Sequence, residues 1–149
     1  MPGINTKTNT LELRRTIKAP VEKVFKAWTE PEQISQWFGC DKVSELRVTQ
    51  DFRVGGQYRM DVVNCDDGNP KAVYGTFKEI VPNKKLVYSW TNGSVEFPAD
   101  DTLVSIEFIA KGNETEIHLV HSNFALDKSV EGHTLGWQQC FDKLARHVA

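Results

Sequence analysis

The spacing of apolar residues near the start of the chain predicts one strand followed by two short helices. Residues 11–17 alternate between apolar and polar, which is the period of a β-strand that ends before the Ala19–Pro20 turn. Apolar residues then recur at helical spacing from Val21 to Trp28, with Pro20 suited to the first helical position and Pro31 ending the helix. A second short helix follows, carrying Ile34, Trp37 and Phe38 and stopped by Gly39.

From residue 43 onward the period changes to two, which predicts an antiparallel meander. The predicted strands occupy residues 43–53, 57–63, 72–80, 86–91, 102–110 and 114–121. Turn-forming residues separate them, namely Gly55–Gly56, Pro82–Asn83, Asn92–Gly93 and Lys111–Gly112–Asn113. We expect Asp51 and Arg53 to hold the first of these turns. Most strands are apolar on one face only, so the sheet needs a cover, and the long amphipathic C-terminal helix is the only element large enough to supply it.

The C-terminal helix carries two glycines, although each costs about 1 kcal/mol relative to alanine in a helix interior. Gly132, Gly136 and Cys140 are four residues apart, so they form a strip of small side chains beside a bulky strip that contains His133 and Trp137. Two explanations are open. Either another backbone segment approaches the helix closely at this strip, or the missing side chains leave a hollow that a ligand fills.

Composition describes one ordinary globular domain. The 149 residues carry a net charge of −2 and are 40% hydrophobic, so we expect a single domain over residues 1–149 with flexible residues 1–9. The basic residues are scattered, and we therefore expect no nucleic-acid partner. No apolar stretch approaches membrane-spanning length and the N-terminus does not resemble a signal peptide, which predicts no membrane insertion and a cytoplasmic location.

Metal and cofactor sites have no support in the sequence. The three cysteines, Cys40, Cys65 and Cys140, lack the C-x-x-C spacing of zinc sites, and their odd number does not suggest a disulfide framework. His118 and His121 are three residues apart on a predicted strand, so they point to opposite faces and cannot chelate one metal together. No nucleophile elbow, phosphate-binding loop or H-E-x-x-H motif is present. We expect no cofactor and no metal.

The order of elements, and several motifs within it, resemble a known family. Strand, two helices, six antiparallel strands and a long helix is an order similar to the helix-grip fold of the START-like superfamily. The motifs are residues 15–38 (RTIKAPVEKVFKAWTEPEQISQWF), 51–60 (DFRVGGQYRM), 75–82 (GTFKEIVP) and Gly136–Trp137. In that order they resemble the heat-shock-protein-90 ATPase-activator homologue family, in its stand-alone C-terminal-domain form, from about residue 10 to the end of the chain.

The resemblance implies an α+β fold in which a curved antiparallel sheet of about six to seven strands wraps around the C-terminal helix. It also implies a cavity between sheet and helix that suits a small hydrophobic or amphipathic molecule, without established catalysis. Two alternatives remain: an enzyme of the cyclase or dehydratase type acting on a carbonyl compound, and a module that contacts the chaperone heat-shock protein 90. Chaperone activators carry an additional N-terminal domain, which makes the last role the least expected. We expect a monomer or a homodimer.

The candidate ligand-binding residues are those whose type, strand parity or helix face suits such a cavity. They are Arg15, Trp28, Trp37, Tyr58, Met60, Tyr74, Tyr88, Trp90, His121, His133, Gly136, Trp137 and Cys140. Each aromatic residue could equally fill a core. Arg15 either receives a ligand carboxylate in the cavity or forms a salt bridge with an acid such as Glu107. His121 is either a base, acting with Arg15, or a hydrogen-bonded packing group, and the same base role is open to His133.

Overall fold

The computed structural model describes residues 9–38, 45–63, 71–92 and 98–149. Their elements, in chain order, are β1 (Leu11–Ile17), α1 (Val21–Thr29), α2 (Pro31–Trp37), β2 (Glu45–Gln50), β3 (Gln57–Val63), β4 (Lys71–Val81), β5 (Lys85–Asn92), β6 (Ala99–Lys111), β7 (Glu114–Ser122) and α3 (Asp127–Val148). All neighbouring strands pair antiparallel, in the order β1-β7-β6-β5-β4-β3-β2. The predicted α+β helix-grip architecture is therefore confirmed.

Among the described residues, two strand boundaries differ from the sequence pattern by more than one residue. β6 begins at Ala99 rather than at residue 102, because a bulge opposite Thr91 interrupts the alternation on which the prediction depended. β2 ends at Gln50, and residues 51–53 belong to a turn in which the Asp51 amide donates to the Gln57 carbonyl over 2.9 Å. The predicted Asp51–Arg53 pair closes that turn at 2.6 Å. The expectations for residues 1–8, 43–44, Gly39 and Gly93 lie outside the described residues.

The core lies between the inner face of the sheet and the helices. On β5, β6 and β7 the inward positions are buried as their parity predicts: Leu86, Tyr88, Trp90, Val104, Ile106, Phe108, Ile117, Leu119 and His121. α3 covers this face with Trp137, Phe141 and Leu144, which are all buried. The Trp28 ring of α1 stacks on the Trp137 ring with centroids 6.0 Å apart, so aromatic side chains occupy much of the space between α1, α3 and the sheet.

The structure argues against one of the two explanations for Gly136 of α3. An ideal Cβ built at Gly136 meets no atom within 4 Å. Close backbone packing is therefore not the reason for glycine at this position, at least against the part of the chain that the structure describes. The helix itself begins at Asp127, one turn before the glycine-containing segment from which it was predicted.

A close approach of strands does occur at Gly75. A Cβ at this residue would lie 2.0 Å from the Ser89 carbonyl oxygen, so only glycine fits. Tyr58 is the direct partner of Gly75 on β3, and its hydroxyl donates to the Ser89 carbonyl of β5 over 2.6 Å. The Tyr58 side chain thus reaches across β4. The Thr76 amide donates instead to the Ser89 hydroxyl over 2.9 Å.

Candidate functional site

An aromatic cleft lies between the two short helices and the inner face of strands β2 to β5. We define it by the twelve residues that line it: Trp28, Ile34, Trp37, Phe38, Val48, Gln50, Phe52, Tyr58, Met60, Phe77, Leu86 and Tyr88. Five of the sequence candidates are among them, namely Trp28, Trp37, Tyr58, Met60 and Tyr88. The cleft encloses a volume of about 30 Å³, which accommodates a water molecule but not an organic ligand without side-chain movement.

Hydrogen bonds from the cleft residues to α1 fix its walls. The Trp37 indole donates to the Ala27 carbonyl over 2.8 Å, which ties α2 to α1. The Gln50 amide donates to the Thr29 carbonyl at the end of α1 over 2.6 Å, which ties the edge strand β2 to the same helix. Phe52 is 37% exposed, and its ring packs edge-on against Phe77 with centroids 5.1 Å apart. It is the most exposed aromatic side chain of the cleft.

Two buried phenols supply polar groups to the cleft. Burial raises the pKa of Tyr58, and the nearby Tyr88 raises it further. Burial likewise raises the pKa of Tyr88, against a smaller opposing effect of the Trp28 indole, whose N–H lies 3.5 Å from the Tyr88 hydroxyl. Both phenols therefore keep their protons at neutral pH. They can donate hydrogen bonds, but neither can act as a base.

A second group of the candidates forms a hydrogen-bonded chain around His121. The Trp137 indole donates to His121 Nδ1 over 3.1 Å, and His121 Nε2 lies 2.8 Å from the Thr102 hydroxyl. That hydroxyl donates its own proton to the Trp90 carbonyl over 2.7 Å, so it must accept from Nε2–H. Both ring nitrogens of His121 are thereby engaged, and the imidazole is neutral.

His133 is also held in one tautomer. Its Nδ1 lies 2.8 Å from the Ser129 carbonyl and must donate to it, because a carbonyl oxygen only accepts. Its Nε2 then accepts from the Asn92 amide at 3.0 Å and from the Trp90 indole at 3.3 Å. Burial lowers the pKa of His133. Burial, and secondarily His133, lower the pKa of His121 well below its usual value.

These contacts correct the expectation of a site that combines Arg15 with a histidine base. The Arg15 guanidinium lies at the surface and pairs with Asp142 of α3 at 2.8 Å, with 38% of its side chain exposed. Arg15 therefore forms a salt bridge, as one of the two explanations predicted, but its partner is Asp142 rather than Glu107. Since the ring nitrogens of His121 and His133 are already engaged, neither side chain presents a free lone pair to a substrate.

Tyr74 does not line the interior. It is 46% exposed and lies opposite Arg59 and Thr91 on the outer face of the sheet, because the preceding residue, Val73, points inward and successive residues of a strand alternate between faces. The other candidates outside the cleft, Trp90, Trp137, Gly136 and Cys140, lie nearer the histidines or along α3.

Seven cleft residues were not among the candidates: Ile34, Phe38, Val48, Gln50, Phe52, Phe77 and Leu86. Strand parity was a usable signal for four of them. Val48 and Gln50 alternate along β2, and Leu86 shares the face of Tyr88. Phe52 continues that parity in the predicted strand 43–53, although the structure places it in a turn after β2.

Within residues 9–38, 45–63, 71–92 and 98–149, no three His, Cys, Asp or Glu side chains are grouped so as to hold a metal ion. None of the helices in these segments is long and apolar enough to cross a membrane. Of the three cysteines, Cys140 is buried, and Cys40 and Cys65 lie outside the described residues.

Comparison with known proteins agrees with the fold. The chain is similar to the solved structures of protein CV1439 from Chromobacterium violaceum (26% identity, TM-score 0.81, covering 94% of this chain and 97% of that one) and of a Rhizobium leguminosarum protein (28% identity, TM-score 0.73, covering 93% of each). CalU16 from Micromonospora echinospora shares the fold at 22% identity, with a TM-score of 0.71 over 94% of this chain and 76% of that one.

No curated protein matches the chain significantly. The sequence profile described as "Activator of Hsp90 ATPase homolog 1-like protein" matches residues 18–149, which include all three helices and six of the seven strands of the described structure. The chain therefore belongs to the Activator of Hsp90 ATPase homolog 1-like family.

Proposed function

We propose that the protein binds a small hydrophobic or amphipathic molecule in the aromatic cleft. The observation that carries this proposal is the composition of the cleft wall: nine of its twelve residues are apolar or tryptophan, and its other members, Gln50, Tyr58 and Tyr88, bring one amide and two protonated phenols. An apolar wall with a few converging polar groups is the usual chemistry of a small-molecule site.

Binding requires the cleft to enlarge, because about 30 Å³ is too small for an organic ligand. Phe52 is the side chain whose displacement costs least, since it is already 37% exposed and lies in a turn rather than in a strand. Met60, which also lines the cleft, has an unbranched and adaptable side chain. The proposed ligand displaces the Phe52 ring from Phe77 and places its apolar part between Met60 and the α2 helix.

The polar end of the ligand is expected at the buried phenols. The Tyr88 hydroxyl accepts a long hydrogen bond from Trp28, at 3.5 Å, and its pKa is raised by burial, so it can donate a hydrogen bond to a ligand oxygen. Tyr58 is less available because its hydroxyl already donates to the Ser89 carbonyl. An alcohol, ketone or ether oxygen meets this requirement, and a carboxylate would lack a counter-charge within the cleft.

A matched pair of valine substitutions tests the site. Val48 and Val87 are both half-buried, but Val48 lines the cleft whereas Val87 lies on the outer face of β5. Val48→Phe should fill the cleft and lower the affinity for the uncharged probe N-phenyl-1-naphthylamine, measured by energy transfer from tryptophan, by about tenfold or more. Val87→Phe should leave the affinity unchanged. Equal affinities in the two variants, or no probe binding by the unmodified protein, would exclude the cleft.

The cytoplasmic location and the monomeric or homodimeric state stay predictions. So does the weakest alternative, contact with the chaperone that gives the family its name.

A further inference from the structure

The outer face of the sheet carries a polar groove that shares only Tyr58 with the aromatic cleft. Its volume is about 510 Å³, within the range of about 300–1,000 Å³ that is typical of small-molecule sites. We define the outer groove by its lining residues: Thr49, Gln57, Tyr58, Arg59, Tyr74, Gly75, Thr76, Ser89, Thr91 and Asp101. It spans strands β2 to β6.

Strand register arranges the side chains of the outer groove in rows. Thr49, Arg59, Tyr74 and Thr91 are successive direct partners across β2, β3, β4 and β5. Asp101 of β6 continues this row, since its amide donates to the Thr91 hydroxyl over 2.9 Å. A parallel second row holds Gln57, its partner Thr76, and Ser89. Directly paired side chains on one face lie within reach of a single ligand.

Asp101 owes its place to an irregularity of β6. Between the pairs Trp90–Thr102 and Asn92–Ala99, β6 has one residue more than β5, and Asp101 adopts a φ of 52° at this bulge. Bulges re-aim side chains and are frequent beside functional sites. Residues other than glycine rarely adopt a left-handed backbone conformation, and aspartate is one of the few that tolerate it. The bulge places a carboxylate at the end of the Tyr74 row.

Tyr74 supplies an accessible aromatic surface in the middle of the outer groove. It is 46% exposed and makes no ring contact with another aromatic residue among those described. The neighbouring Arg59 guanidinium is held along β3 by Asp61, at 3.0 Å from Nε and from a terminal nitrogen. The ring therefore lies beside hydrogen-bonding groups without being stacked against another ring.

We propose that the outer groove binds a neutral saccharide, with one face of a sugar ring against Tyr74 and its hydroxyls on the two polar rows. The charges favour a neutral ligand, because Arg59 is balanced by Asp61 and the remaining charge, Asp101, is negative and disfavours phosphates and carboxylates. The ligand must also offer a flat C–H surface and many hydroxyl groups, since an aromatic ring is flanked by three threonines, a serine, an amide and a carboxylate. Sugars combine both properties.

The test is a titration of the isotope-labelled full chain with glucose, galactose, N-acetylglucosamine, maltose, cellobiose and lactose, followed by amide chemical shifts. We expect at least one saccharide to shift the amides of Tyr74, Thr91 and Asp101. Tyr74→Ala should weaken that binding by about tenfold, while Tyr74→Phe, which keeps the ring, should retain it. Asp101→Asn preserves the tolerated left-handed backbone and should weaken binding severalfold by removing a charged acceptor.

The controls separate this site from others. Lys78→Ala changes an exposed residue of the same strand outside the groove and should have no effect. Val48→Phe, which fills the aromatic cleft, should also leave saccharide binding intact, so failure of the cleft proposal and failure of this one are distinguishable. The proposal is overturned if no saccharide shifts the groove amides, if the shifts persist in Tyr74→Ala, or if glycerol produces the same shifts at the same concentration.

Discussion

Acidification below about pH 6.5 should destabilise the protein through His121. His121 is fully buried, and both of its ring nitrogens take part in the chain from Trp137 to Thr102. Its pKa in the folded protein lies well below the usual value because burial disfavours the charged ring. A second proton on the ring would also displace the Trp137 indole, since Nδ1 would become a donor facing another donor.

The magnitude follows from proton linkage. Because the unfolded chain binds the proton first, the stability associated with neutral His121 is fully present above about pH 6.5 and is lost as the pH falls below it. His121 alone should lower the free energy of unfolding by about 1 kcal/mol between about pH 6.5 and about pH 5.5, and by about 1.4 kcal/mol for each further unit until the folded ring binds a proton. His133, whose pKa is also lowered, adds to the same slope.

Urea unfolding followed by tryptophan fluorescence, repeated from about pH 7.5 to about pH 5, measures this slope. In His121→Leu, the change in the free energy of unfolding per pH unit should be smaller by the contribution of one titrating group. Phe124→Leu is the matched control, because the Phe124 ring packs on His121 with centroids 4.3 Å apart, and its loss destabilises the core without removing the titrating group. An unchanged pH slope in His121→Leu would refute the assignment of a neutral, buried histidine.

Three further substitutions and one ATPase assay have defined expected outcomes. Gly136→Ala should raise the free energy of unfolding by about 1 kcal/mol, and the melting temperature by about 2–4 °C in calorimetry, since its Cβ enters open space; a lower melting temperature would show a hidden neighbour. Tyr58→Phe leaves the buried Ser89 carbonyl without its phenol and should cost about 1–3 kcal/mol in urea unfolding, whereas unchanged stability would deny the bond any net contribution. Arg15→Ala removes a surface ion pair with Asp142 and should cost at most about 1 kcal/mol with no change in dye affinity; a drop in affinity would restore its role in ligand binding. In a coupled assay the chain should stimulate the chaperone's ATPase weakly or not at all, and robust stoichiometric stimulation would make the chaperone the principal partner.

The fold was predictable because its strands are one-sided. The parity of β5, β6 and β7 identified the inward side chains, and burial follows it without exception at the nine positions named above. The strand boundaries were predicted wrongly where the backbone departs from regular β-sheet pairing. The bulge beside Thr91 hid the start of β6, and the turn at Asp51 hid the end of β2, because neither changes the pattern of residue types in a recognisable way.

The candidate site was predictable only in part. Tyr58, Met60 and Tyr88 were found because strand parity and residue type agreed, whereas Tyr74 was chosen by residue type against its parity. The engagement of His121 could not be predicted at all. It depends on Thr102, Trp137 and the Trp90 carbonyl meeting at one point, and these groups lie far apart in the sequence.

The hydrogen bond from Tyr58 to Ser89 links β3 to β5 and passes over the glycine of the strand between them. Backbone pairing joins only nearest neighbours, so an edge hairpin such as β2–β3 would ordinarily be the first part of a sheet to separate in native-state fluctuations. Here its separation must also break a buried phenol–carbonyl bond to a strand two places away. We therefore expect β2 to β5 to open as one cooperative unit, with the Tyr58 and Ser89 amides exchanging hydrogen at a common rate despite belonging to non-adjacent strands.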